Sequence, residues 1–212
     1  MSPIKLIVAC TGHLGRYHAQ KAAILECIEL VGVMDVDKAK AKKFGKEFNV
    51  PALDSFTSTG AQAVIVSTTT SAHASVACEA LNAGLHALVE KPIAPTIIEA
   101  QAIIDAARRN NRTLAVGHSE RFNPAVAAGL GIVKKPRYIT AERLSPFSGR
   151  SLDVDVILDL MIHDLDILAS LVTAPLKDVR AIGVPVLTNS IDMASARLEF
   201  PDGTVAELQA GR

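Results

Sequence analysis

The stretch IKLIVACTGHLG, residues 4–15, decides the fold. Ile4 to Cys10 is a short apolar run that ends in Thr11-Gly12, and a segment with helical spacing follows from about Leu14 to Ile24. A dinucleotide-binding turn has the pattern G-x-G-x-x-G between a strand and a helix, with an acid about 20 residues later. In that register Gly12 and Gly15 hold the second and third glycine positions, and Cys10 stands where the first belongs. Gly12 lets the backbone approach a pyrophosphate, and Gly15 lets the helix pack closely on the strand. The helix N-terminus at His13 and Leu14 offers N–H groups and a favourable dipole to the phosphates. Cys10 is expected to tilt the loop and weaken binding, because the first glycine is what permits the tight turn.

Asp35 closes a second apolar run, Glu29 to Met34, 20 residues beyond Gly15. A carboxylate there accepts hydrogen bonds from ribose hydroxyls and repels a 2′-phosphate, so the expected cofactor is NAD rather than NADP. Arg16 and Lys38 are the cations that would weaken this preference by folding back.

Beyond the loop the alternation continues. A Lys-rich helix runs to about Phe48, Ala63 to Val66 is a third strand, and His73 to Ala83 is a helix with Gly84 as its stop. His86 to Val89, Thr96 to Arg109 and Thr113 to Val116 follow as strand, helix and strand. Apolar strands alternating with helices predict a doubly wound parallel sheet covered on both faces, a Rossmann-type α/β domain. The pattern stops near Gly117. Arg137 to Leu144, Val179 to Val184 and Met193 to Phe200 are longer and alternate in polarity, and Pro201-Asp202-Gly203 turns the last into Thr204 to Leu208. One long helix, roughly Val154 to Val172, interrupts them. The expected organisation is therefore an NAD-binding domain over residues 1–120 and an α+β domain over 121–212. The sheet of the second domain is expected to be mostly antiparallel and incomplete, with an unpaired edge and one uncovered face.

Bulk properties narrow the partners. Lys plus Arg and Asp plus Glu number 22 each, leaving no net charge and none of the basic excess of a nucleic-acid binder. No run approaches the length of a membrane span and no signal peptide is evident, so a cytoplasmic, soluble protein is expected. The three cysteines, Cys10, Cys27 and Cys78, lack metal spacing and lie in apolar or small-residue runs, which predicts buried free thiols.

Two further segments can carry chemistry. Val89-Glu90-Lys91-Pro92 lies at the carboxyl end of a strand, the edge where open α/β sheets bind ligands. The proline keeps Lys91 extended towards that crevice, where it can hydrogen-bond a substrate hydroxyl. A solvated lysine at a strand end explains the position equally well. Asp159 and His163, four apart on an apolar helix, share a face with Cβ atoms about 6 Å apart. Buried ionisable groups require partners, and a satisfied core pair is the plainer reading. Two such groups are too few for a metal site, and none is expected. Gly117-His118-Ser119-Glu120-Arg121-Phe122-Asn123-Pro124 places polar groups after a strand at the domain junction. His13, His18 and His73 look like helix-start or loop residues rather than catalysts.

Taken together, the loop TGHLGRYHA (11–19), VMDVD (33–37), VEKPIA (89–94) and D-x-x-x-H (159–163) resemble the Gfo/Idh/MocA oxidoreductases. The segments at 117–125, 143–167 and 179–187 resemble the branch that oxidises the C3 hydroxyl of a UDP-N-acetylhexosamine. The resemblance implies that Lys91 contacts the nicotinamide ribose and the reacting hydroxyl. It implies His163 as general base and Asp159 as the acid that orients substrate or modulates that base. Arg121 and Asn123 fall where substrate contacts are expected. Thr68, Thr69, His73 and Glu90 join the glycine loop and Asp35 as expected cofactor contacts. A cis Lys91–Pro92 bond and a homo-oligomer formed through the C-terminal sheet are implied as well. A polyol or inositol dehydrogenase of the same family, and a non-catalytic dinucleotide-binding protein, are the alternatives.

Overall fold

A computed structural model describes residues 2–147, 149 and 152–212, so Ser148, Arg150 and Ser151 of the 143–167 segment lie outside the described residues. The chain forms two compact units, Met1–Gly117 and His118–Arg212.

In the first unit β1 (Ile4–Ala9), β2 (Ile28–Met34), β3 (Ala63–Val66), β4 (His86–Val89) and β5 (Leu114–Val116) form one parallel sheet in the order β2-β1-β3-β4-β5. The helices are α1 (His13–Ile24), α2 (Lys38–Phe48), α3 (His73–Asn82) and α4 (Ile97–Arg109). Neighbouring residues of β1 show why the apolar run is continuous. Ile7 packs with Val64, Leu81 and Ile103 in one cluster, while Val8 packs with Val33, Ala19 and Phe44 in another. Both are fully buried, each contributing about 1.5–3 kcal/mol by leaving water. The order reverses between β1 and β3, and ligands of open α/β sheets bind at the carboxyl ends beside such a switch point. The segment after α2 runs as turns to β3, and Val33 pairs with Ala52 to cover the outer edge of β2.

In the second unit β6 (Tyr138–Leu144), β7 (Asp178–Val184), β8 (Met193–Glu199) and β9 (Val205–Gly211) form a sheet in the order β6-β9-β8-β7. It is mixed: β8 is antiparallel to both neighbours, whereas β6 and β9 run parallel. One face is covered by Val156, Met161, Leu168 and Val172, which pack on Ala194, Leu198, Ala206 and Leu208. The other face leaves Tyr138, Leu144, Ile182 and Val184 exposed.

Two expectations need correction and one helix is added to them. The long helix is instead a π-helical turn, Ile157–Met161, followed by α6 (Ile162–Leu171). The reason lies in the buried positions. Val156 and Met161 are five apart, the π repeat, while Leu168 and Val172 are four apart, the α repeat. A helix at Pro124–Ile132 (α5) was not anticipated, because PAVAAGLGI is apolar all round and shows no periodicity. Its signals were the Asn123 cap, which accepts a hydrogen bond from Ala125 N, and proline at the first turn. Finally, Cys27 is exposed and Cys10 and Cys78 are only half-buried. Small-residue surroundings in sequence did not mean burial, since Cys27 sits in the turn entering β2.

Candidate active site

The first unit contributes a phosphate-type loop. Gly12 caps α1 without a side chain, so the first-turn N–H groups at the exposed His13 and Leu14 are open to a ligand. A Cβ on Gly15 would lie 1.9 Å from the Cys10 carbonyl oxygen, so only glycine lets α1 approach β1 this closely. Cys10 takes φ of +90°, the backbone a glycine would adopt, and its N–H donates to Met34 O at 2.7 Å. The turn is thus retained with a strained non-glycine residue in it rather than tilted away. Burial raises the pKa of the Cys10 thiol.

Asp35 closes the loop from the β2 side. Its Oδ2 accepts from Thr11 N at 2.8 Å and Thr11 Oγ1 at 2.7 Å, and its Oδ1 accepts from Asp37 N at 2.9 Å. Burial acts to raise the Asp35 pKa, but these donors and the Lys40 charge hold it below its ordinary value. Arg16 pairs with Glu47 and stacks over Phe44, and Lys38 pairs with Asp54. Neither cation that would favour a 2′-phosphate is folded onto Asp35.

At the end of β3 Thr68 is half-buried and Thr69 exposed. His73 is 1% exposed, and its ring nitrogens lie 2.8 Å from Pro92 O and 3.2 Å from Thr68 O. Its imidazole braces the β3 turn against the turn after β4. That second turn contains Glu90 and Lys91, and the Lys91–Pro92 bond is cis. Glu90 Oε1 is 2.7 Å from Nε2 of His18 on α1. Reading the sequence missed this pair, because the two residues are 72 positions apart and neither has a local signature for the other.

The second unit carries the π turn and α6. Asp159 and His163 are both half-buried there. Arg212 at the end of β9 is 4% exposed in its side chain. Its guanidinium reaches, among others, Val154 O at 2.9 Å, Asp192 Oδ1 at 3.4 Å and Asp159 Oδ2 at 3.5 Å. Asp192 is itself fixed by Val186 N, Leu187 N and Thr188 N at 3.0, 2.8 and 2.6 Å, and by the Thr188 hydroxyl at 2.8 Å. Along α6, Arg143 makes a two-pronged pair with Asp164 and Arg121 another with Asp166, at 2.6–3.0 Å. Burial acts to raise the Asp166 carboxyl, yet the Arg121 hydrogen bond and the nearby His118, Arg121 and His163 hold it low. Arg121 is therefore engaged within its own unit, and Asn123 serves as the α5 cap. Among the described residues no group of three or more His, Cys, Asp or Glu is placed to hold a metal ion, and no helix is long and apolar enough to cross a membrane.

Residues 4–118 match the model of the oxidoreductase family with an NAD-binding Rossmann fold, Gfo/Idh/MocA. The chain belongs to the Gfo/Idh/MocA family. It is 45% identical over 207 residues to the UDP-N-acetylglucosamine 3-dehydrogenase of Acidithiobacillus ferrooxidans, covering 95% of this chain and 64% of that relative. The chain thus spans just under two thirds of the length of this Gfo/Idh/MocA protein. A solved structure of the same dehydrogenase superposes with a TM-score of 0.91 at 43% identity, covering all of this chain and 71% of that one. A second relative, the scyllo-inositol 2-dehydrogenase (NAD(+)) of Bacillus subtilis (strain 168), is 27% identical, covering 99% of this chain and 67% of its own.

Proposed function

We propose that the chain is an NAD-dependent dehydrogenase that takes hydride from a secondary hydroxyl of a sugar, the C3 hydroxyl of a UDP-N-acetylhexosamine. The likeness of 45% to a UDP-N-acetylglucosamine 3-dehydrogenase over 95% of the chain carries this reading, because it runs through both units. The inositol dehydrogenase stands at 27%. The residues of the first unit fit a dinucleotide: Gly12, His13 and Leu14 offer open backbone at the N-terminus of α1, and Gly15 lets that helix sit close against β1. Asp35 offers a carboxylate to a ribose. When bound, NAD supplies the hydride acceptor.

The chain's own residues divide the remaining work. Thr68, Thr69 and Glu90 line the cofactor edge, with His73 holding their turns together. Lys91 donates to the hydroxyl and to the nicotinamide ribose. His163 accepts the hydroxyl proton on an imidazole nitrogen. Asp159 orients the substrate or that base. Arg121 and Asn123 contact substrate while retaining their pairs with Asp166 and the α5 backbone. Residues 1–120 act as the NAD-binding domain and 121–212 as the substrate and oligomerisation domain. The exposed apolar face of the second sheet supports association of subunits through it, and unlinked thiols suit a reducing cytoplasm.

The test is reduction of NAD⁺ and NADP⁺ by the purified chain with UDP-N-acetylglucosamine, free N-acetylhexosamines and inositols in parallel. Turnover with NAD⁺ and the nucleotide sugar is expected, and Lys91→Ala and His163→Ala should each abolish it. Turnover confined to inositols would reassign the substrate, and tight NADH binding without turnover on any substrate would defeat the reading.

A further inference from the structure

His18 lies on α1, six residues past the cap of the helix whose N-terminus closes the phosphate loop. Its partner Glu90 immediately precedes Lys91. The two side chains are 23% and 13% exposed, and Nε2 to Oε1 is 2.7 Å. An ionised carboxylate only accepts hydrogen bonds, so Nε2 is the donor. The other oxygen of Glu90 accepts from Lys91 N at 3.3 Å, a long bond. On the β5 side Gly117 presents bare backbone: a Cβ there would lie 2.9–3.1 Å from the Glu90 carboxylate. The carboxylate therefore sits in a slot with one strong side-chain donor, and that donor comes from the helix of the phosphate loop.

A nearly buried carboxylate must be compensated. Burial acts to raise the Glu90 pKa, but the hydrogen bond from His18 and the neighbouring Lys91 hold it below its ordinary value. With His18 in place, the negative charge beside Lys91 is held by one side-chain donor, Nε2 of His18. Without it, the same charge turns to Lys91, one residue away in sequence, and draws its ammonium towards itself. We propose that His18 is a positioning residue for Lys91, acting through Glu90. This rests on the reading of Lys91 as a group that works at the nicotinamide end. It also links the loop that holds phosphates to the placement of the lysine.

Two substitutions separate this role from bulk packing. His18→Gln puts an amide nitrogen where Nε2 stands and keeps the bond to Glu90, whereas His18→Asn puts it where Nδ1 stands and loses the bond. The full chain is used, and circular dichroism checks folding of each variant. The first readout is the rate at which Lys91 is acylated by an N-hydroxysuccinimide ester, followed by peptide mass spectrometry. At least a threefold slowing is expected in His18→Asn, wild-type behaviour in His18→Gln, and recovery in His18→Asn/Glu90→Gln, where no charge remains to capture Lys91. An unchanged rate in His18→Asn, or no recovery in the double variant, overturns the proposal. The second readout is turnover: kcat is expected to fall at least tenfold in His18→Asn with the KM for NAD⁺ within threefold, and to stay at the wild-type value in His18→Gln. Lys91→Ala serves as the separate control. If it leaves turnover intact, the reading of Lys91 fails, while the acylation rates still decide whether His18 positions it.

Discussion

One carboxylate oxygen of Asp35 accepts both the backbone N–H and the hydroxyl of Thr11, at 2.8 and 2.7 Å. The acid at the end of β2 thus holds the loop between β1 and α1 in place. Asp35→Ser should therefore have two effects. Loss of the two bonds should cost about 1–2 kcal/mol in urea unfolding. Fluorescence titrations should show the preference for NADH over NADPH falling about tenfold, an energy of about 1.4 kcal/mol. A preference that stays put would mean Asp35 acts on the loop alone.

Gly15 and Cys10 meet at the closest approach in the loop, where a Cβ on Gly15 would strike the Cys10 carbonyl oxygen. That obstacle is backbone and cannot rotate away. Gly15→Ala should destabilise the first unit by about 3 kcal/mol or more and weaken NADH binding at least tenfold. At Cys10 the φ of +90° predicts the opposite preference. Cys10→Gly should be more stable than Cys10→Ala by about 1 kcal/mol in the same unfolding assay.

Asp166 is 7% exposed in its side chain, and both of its oxygens are taken by Arg121. Removing the guanidinium strands a buried carboxylate, although solvent on the half-exposed arginine moderates the loss. Arg121→Ala should cost about 1–2 kcal/mol and Arg121→Lys less, since an ammonium cannot make the two-pronged pair. If turnover falls in Arg121→Ala well beyond the loss of folded protein, Arg121 contacts substrate as proposed. A proportionate fall would confine it to holding α6.

Asp192 supplies a pH dependence. Burial alone would raise its carboxyl pKa, but the N–H groups of Val186, Leu187 and Thr188 and the Thr188 hydroxyl hold it well below the ordinary carboxylate range. A carboxyl lowered by folding contributes stability that is fully present above its unfolded value, about 3.9, and is lost as pH falls through the folded value. Asp192→Asn should therefore lower the urea midpoint clearly at pH 7 and less at pH 3. An equal deficit at both pH values would show that the charge on Asp192 does not matter.

Local spacing determined a good part of this protein. Runs such as Leu6–Ala9 and Ala63–Val66 announce strands covered on both faces, because alternate residues point to opposite sides and all of them are apolar. Gly12, Gly15 and Asp35 announce the loop, because each meets a backbone or charge requirement that acts over a few residues. The polarity alternation after Pro136 announces a sheet with one open face. Spacing fails where these local rules are silent. PAVAAGLGI has no polar face to reveal α5, and the five-residue step from Val156 to Met161 shows its π winding only once both are seen to face β8 and β9.

Tertiary structure alone decided which charges meet. His18 finds Glu90 from 72 residues away, and Arg212 finds Asp159 from 53. Neither helical nor strand periodicity encodes such pairs. They arise because sheet order and helix packing bring distant positions together, and because a carboxylate cut off from water must be met by whatever donor the fold places beside it. The chain's local chemistry thus determined where a dinucleotide loop lies. The packing of its strands decided which groups hold Glu90, Asp159 and Asp166 in place.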